Sequence, residues 1–100
     1  MFKGGTPTHI FNVAIDISLI KDVKITYSQD SKVILTKKTD ECQINDGEIR
    51  TRLSQEDTFL FDGSKFVNIQ LRVLTHEGDV LPSKIFTKSV AECLDDEVLK

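Results

Sequence analysis

The sequence predicts an all-β fold, two antiparallel sheets packed face to face, and three observations predict it. Val67-Asn68-Ile69-Gln70-Leu71-Arg72-Val73 alternates apolar and polar residues with a period of two, a turn follows at 74–79, and a second run from Val80 to Val90 comes directly after. That is a strand, a tight connection and another strand, with one face wet and one dry. The same grammar recurs along the chain at spacings of about eight to twelve residues, the rhythm of a sandwich. No segment reads as a helix long enough for a crossover between parallel strands, which leaves antiparallel pairing.

Taken in order, residues 1–8 are polar, carry Gly and Pro, and read as a flexible arm. His9 to Asp16 alternates, with Phe11, Val13 and Ile15 on one face. Residues 18–22 connect and tuck Leu19 or Ile20 into the core. Val23, Ile25 and Tyr27 oppose Lys24, Thr26 and Ser28 in a second strand. Asp30-Ser31 punctuates it, and 33–37 answers as an antiparallel partner across a short turn. Cys42 to Asn45 reads as a short strand. Asn45-Asp46-Gly47 is the strongest hairpin signal, since glycine takes positive φ without a Cβ clash. Ile49, Thr51 and Leu53 point inward on the return. Ser54-Gln55-Glu56-Asp57 reads as one capped helical turn, with acids suited to the helix dipole. Phe59 and Phe61 bring aromatic weight to the core, and Asp62-Gly63 turns into the long pair at 66–74 and 80–90. Pro82 lacks a donor and belongs at an edge, a bulge or a strand start. The expected architecture is one immunoglobulin-like antiparallel β-sandwich of six to eight strands over residues 1–100, with at most one short helical turn.

The chain has 100 residues, 39% hydrophobic and 29% charged, which suits one globular domain with one core. Its net charge of −3 argues against nucleic-acid binding, which needs surplus Lys and Arg. Arg50, Arg52 and Arg72 are the candidates for a local basic patch. No apolar run approaches the ~20 residues of a membrane span, and nothing near Met1 reads as a signal peptide. Synthesis in the cytoplasm is the expectation, with Cys42 and Cys93 reduced, although spacing alone leaves a disulfide between them open.

No constellation for catalysis stands out. His9 opens a strand and His76 sits in a hairpin tip; a pairing of either with Cys42 or Cys93 lacks an orienting third group. Paired-histidine and Cys-x-x-Cys spacings are missing, so neither metal nor other cofactor is expected. Asp16 with Asp22, and Asp95-Asp96-Glu97, are acidic groups without the glycine-centred calcium-loop spacing. Tryptophan is absent and Tyr27 is the one tyrosine, which leaves little for a sugar-stacking platform.

What remains is surface for other proteins. An open sandwich has edge strands with unpaired main-chain groups. In the 66–90 pair, Leu74, Leu81 and Phe86 cannot all be buried if Ile69, Leu71, Val73 and Ile85 are, so an interface is expected there. The alternative is that the arm or the tail covers this second apolar face. In the tail at 92–100, Leu94, Val98 and Leu99 have helical spacing and are the other candidate contacts; docking, fraying and partner binding stay open.

Ser54-Gln55-Glu56-Asp57-Thr58 through Phe61 resembles the corner before the sixth strand of immunoglobulin domains, but Asp62-Gly63-Ser64 interrupts and no Tyr-x-Cys follows. Over nearly the full length, Thr6-Pro7-Thr8-His9-Ile10-Phe11, Leu19-Ile20-Lys21, Ile25-Thr26-Tyr27, Leu53 to Thr58, Ile69 to Leu74 and Leu94 to Leu99 resemble small proteins of about this chain's length encoded in phages and prophages of Gram-positive bacteria. More distantly, Gln70-x-Arg72 and the hairpin after it are similar to the N-terminal β-sandwich domains of upper-baseplate proteins. The resemblance implies a non-enzymatic virion component, in the tail or baseplate, or an assembly factor. Its implied partners are other phage structural proteins or further copies of itself, in the host cytoplasm when made or in the virion. The competing expectation is an accessory module binding a host-surface glycan or calcium.

Overall fold

A computed structural model describes residues 1–100. Eight strands form two antiparallel sheets: β1 (Thr8–Asn12), β2 (Ile20–Gln29), β3 (Lys32–Lys38), β4 (Gln43–Asn45), β5 (Glu48–Arg52), β6 (Phe66–Thr75), β7 (Val80–Pro82) and β8 (Phe86–Ser89). One sheet runs β1-β5-β4. The other runs β3-β2-β6, with β7 and β8 both pairing the far side of β6. The helical content is α1 (Gln55–Phe59) and two 3-10 turns, Ile17–Leu19 and Thr39–Glu41. This is the expected antiparallel sandwich, immunoglobulin-like in its two facing layers.

The core follows from alternation. Val23, Ile25 and Tyr27 on β2 stand in register with Val73, Leu71 and Ile69 on β6, so all six share one face. That face meets Phe11 and Ile49 from the other sheet and Leu53 just past the end of β5, with Phe61, Val67 and Val90 completing the cluster. Two positions of positive φ turn the first hairpin, Asp30 at 51° and Ser31 at 62°, the geometry a two-residue turn between twisted strands requires. Gly47, at φ 78°, does the same between β4 and β5.

α1 starts where its cap is. The Asp57 amide donates to Ser54 Oγ at 3.0 Å, and the Ser54 amide donates to the Asp57 carboxylate at 2.9 Å. The same carboxylate receives Lys37 Nζ at 2.8 Å. Lys37 lies on the inner face of β3 and is buried, so α1 closes the β3 side of the sandwich with an ion pair instead of an aliphatic contact.

Several expectations are corrected. The first strand ends at Asn12, because the Asp16 carboxylate accepts from Ser18 and starts the first 3-10 turn. Residues 1–8 are not a free arm: Thr8 opens β1, and Phe2 bridges Ala91 in parallel, with Lys3 N donating to Ala91 O and Ala91 N donating to Met1 O. Phe59 is half-buried, its ring lying over Gly4, where a Cβ would approach Cζ to 2.8 Å. The run 80–90 is not one strand. Ser83 breaks it, for a reason set out below.

Candidate interaction surface

β6 is central, and what lies beyond it is two short strands in a line. Between them Ser83 replaces the ladder with its own groups. Its amide donates to Leu71 O at 2.7 Å, its Oγ accepts from Leu71 N at 3.0 Å, and its carbonyl accepts from the Gln70 side chain at 2.9 Å. Pro82 sits just before this break, at the edge, where its missing donor costs nothing. The break lets 84–86 leave the strict alternation, and that re-sorts the apolar residues.

Phe86 pairs Ile69 and Leu81 pairs Val73, so both sit on the core face of the sheet, at its open margin. Leu81 is 43% exposed and Phe86 36%. The Phe86 ring meets Phe11 edge-on at 5.6 Å, and Lys84 Nζ lies 5.2 Å above it. Leu74 pairs Val80 on the outer face, where it is half-buried. Ile85, expected inward, is the correction: it is exposed on the outer face, beside Thr26, Ser28, Asn68 and Gln70. Val80 and Phe66 are exposed as well. The open margin of β6 therefore carries apolar residues on both of its faces.

The tail residues do not join them. No helix forms over 92–100, and Leu94 and Leu99 are exposed while Val98 is half-buried. The Gln55 side chain clasps the main chain of Leu99, donating to its carbonyl at 2.7 Å and accepting from its amide at 2.9 Å. That clasp draws the tail to α1 and away from β7 and β8. The six candidate residues thus fall in three places: Leu81 and Phe86 at the inner margin, Leu74 on the outer face, and Leu94, Val98 and Leu99 in the tail. No sequence signal marks Gln55 as the residue that separates them.

On the other side of the inner margin lies β1. A cleft of about 300 Å³ separates the two edges, with His9 and Phe11 on one wall, Phe86 and Lys88 on the other and Ile69 at its floor. His9 Nδ1 and Tyr27 Oη are 2.7 Å apart. Burial pushes the Tyr27 phenol above its ordinary value, so it keeps its proton. Burial first, and the Lys88 charge second, lower His9 below 6.5. This hydrogen bond makes the pair a structural latch between the sheets.

The other chemical candidates are scattered. His9 bonds Tyr27 and neither cysteine. Cys42 and Cys93 are free thiols: burial raises the Cys42 thiol, and Cys93 Sγ donates to Asp95 O at 3.0 Å. Asp22 accepts from Thr39 Oγ1 and Asp95 from the Glu97 amide. No three His, Cys, Asp or Glu side chains converge as metal ligands would. Arg50 and Arg52 lie on β5, whereas Arg72 lies on β6 in the other sheet, so the three arginines form no single patch. No helix is long and apolar enough to cross a membrane.

No protein-family model and no curated protein matches the chain. Among solved structures, the V domain of amphioxus IgVJ-C2 is similar at 12% identity and a TM-score of 0.36, over 91% of this chain and 95% of that one.

Proposed function

We propose that this chain is a non-enzymatic interaction module that binds other proteins through the open margin of β6. The observation that supports it is the two-sided apolar edge: Leu81 and Phe86 on the inner face, Val80 and Ile85 on the outer, all solvent-exposed along two short strands and the link between them. A sheet edge offers main-chain groups for pairing, and exposed apolar side chains beside it supply the burial that makes pairing favourable. The resemblance read from the sequence sets this module in a phage or prophage virion, in the tail or baseplate, or in its assembly.

Purified virions from the host whose genome encodes the chain test this. The chain is expected in the particles at a fixed copy number, and Ile85→Asp with Leu81→Asp is expected to abolish incorporation while leaving the thermal transition of the isolated protein within about 5 °C, since both positions are exposed. Absence from particles and from assembly intermediates contradicts the phage setting. Normal incorporation of the double variant contradicts the edge as the binding surface.

A further inference from the structure

We propose that the cleft between β1 and β8 receives the C-terminal segment 94–99 of a second copy of this chain. The inference rests on the reading of the β6 margin as a binding surface and names its occupant. Charge complementarity is the first argument. The cleft holds the Lys88 charge and no carboxylate, and a second charge, Lys84, stands over the Phe86 ring at its rim. The segment Leu94-Asp95-Asp96-Glu97-Val98-Leu99 is its counterpart, three acids framed by three aliphatics. An extended strand laid there would set Leu94 and Val98 on one face, against Phe86 and Phe11, with Asp96 between them on that face toward Lys88.

The second argument is how the segment is held in its own chain. Leu94 is 108% exposed and Leu99 77%. The polar contacts that tie 94–99 to the rest of the chain are the two hydrogen bonds of the Gln55 clasp. The remaining ones, Cys93 to Asp95 and Asp95 to Glu97, lie within the tail itself. A segment tied at one residue, with Leu94 and Leu99 in water and Val98 half-buried, gains by finding an apolar cleft.

The third argument is why the donor is another copy. β8 runs directly into the tail, so the segment would have to fold back along residues 89–91 to reach its own cleft. That path is taken: Lys3 N donates to Ala91 O and Ala91 N donates to Met1 O, which lays the first residues along this edge. Both cleft walls, meanwhile, are outermost strands, β1 of the three-stranded sheet and β8 beside β6. Head-to-tail exchange of the segment then closes into a dimer or ring, or propagates as a filament.

The test is a dye-labelled peptide of residues 92–100 titrated into the full-length chain at low salt, read by anisotropy, with backbone amide NMR shifts locating the contact. Saturable binding is expected, with shifts at His9, Phe86 and Lys88, and Lys88→Glu weakens it by about tenfold, as loss and reversal of a rim charge would. No saturation up to about 1 mM overturns the proposal, since that is the weakest affinity such a contact could usefully have. Equal binding by Lys88→Glu overturns it too. So do shifts confined to Gln55 and Phe59, because the peptide would then be replacing the chain's own tail. Should virion incorporation still depend on Leu81 and Ile85 in any of those cases, the interaction module stands and only its occupant is wrong.

Discussion

Truncating Asp57 to alanine removes two things at once, and the structure sets the size of each. The carboxylate accepts from the Ser54 amide, and losing that half of the capping box costs about 1 kcal/mol. It also pairs Lys37 at 2.8 Å, between side chains only 17% and 11% exposed. Breaking a fully buried pair from one side costs about 3–5 kcal/mol. Here some solvent reaches the carboxylate, and Glu41, at 3.5 Å from Lys37 Nζ and 44% exposed, stays behind as a poorer partner. About half the buried figure, ~2 kcal/mol, is the expected loss from the pair. The sum, about 3 kcal/mol, corresponds to a fall in Tm of roughly 10–25 °C for a domain of this size. Urea denaturation measures it, with the midpoint falling at constant slope. Lys37→Met with Asp57→Ala is expected to recover about 1–2 kcal/mol of the loss, because the stranded ammonium is gone while the cap is still missing. A loss below about 1 kcal/mol for Asp57→Ala, or no recovery in the double variant, would show that the pair does not hold α1 to β3.

Acid should act on the same contact. Burial opposes the Asp57 charge, but hydrogen bonds from Lys37 and Ser54 outweigh it and hold the carboxyl below 3.8. Its contribution is complete above that value and is lost as pH falls through the lower folded value, a dependence that Asp57→Asn should remove from a series of denaturation curves. His9 is lowered by burial and by Lys88, so the unfolded chain binds its proton first and stability declines as pH falls from 6.5 through the folded value. His9→Gln should flatten that stretch, and an unchanged slope would place the titration elsewhere. Gln29 is buried and clasps Asp62 in both directions, at 2.9 and 2.8 Å. Gln29→Met keeps the volume but strands the Asp62 amide and carbonyl, an expected cost of about 2 kcal/mol in the same denaturation assay.

What the sequence disclosed is what is local or periodic. The inward set of β6 was legible because a paired strand shows a single parity to the core, and Val67, Ile69, Leu71 and Val73 share it. Asp30-Ser31, Asp46-Gly47 and the Ser54 cap were legible because each is decided within four residues. The run 80–90 was misread because alternation presumes an unbroken ladder, and Ser83 breaks it through hydrogen bonds to Leu71 and Gln70. Ile85 consequently turns outward. Lys37 looked like the charged end of a strand, since its partner Asp57 is remote in sequence. Leu94, Val98 and Leu99 had helical spacing, yet a segment this short cannot meet the cost of nucleating a helix without a packed face. Exposed apolar surface in the 66–90 pair was legible; that Leu81 and Phe86 share the core face with Val73 and Ile69, instead of facing outward, was not, nor was the β1 wall opposite Phe86, because only the folded sheets bring these together.

Native-state amide hydrogen exchange tests most directly whether the margin of β6 is an open edge. Amides of β2 and β6 should exchange only through global unfolding, whereas those of β7 and β8, short and exposed, should open about 1–3 kcal/mol more easily in dilute protein. Equal protection of all four strands in the monomer would mean that the edge is already closed, and the surface on which the proposed function depends would not exist.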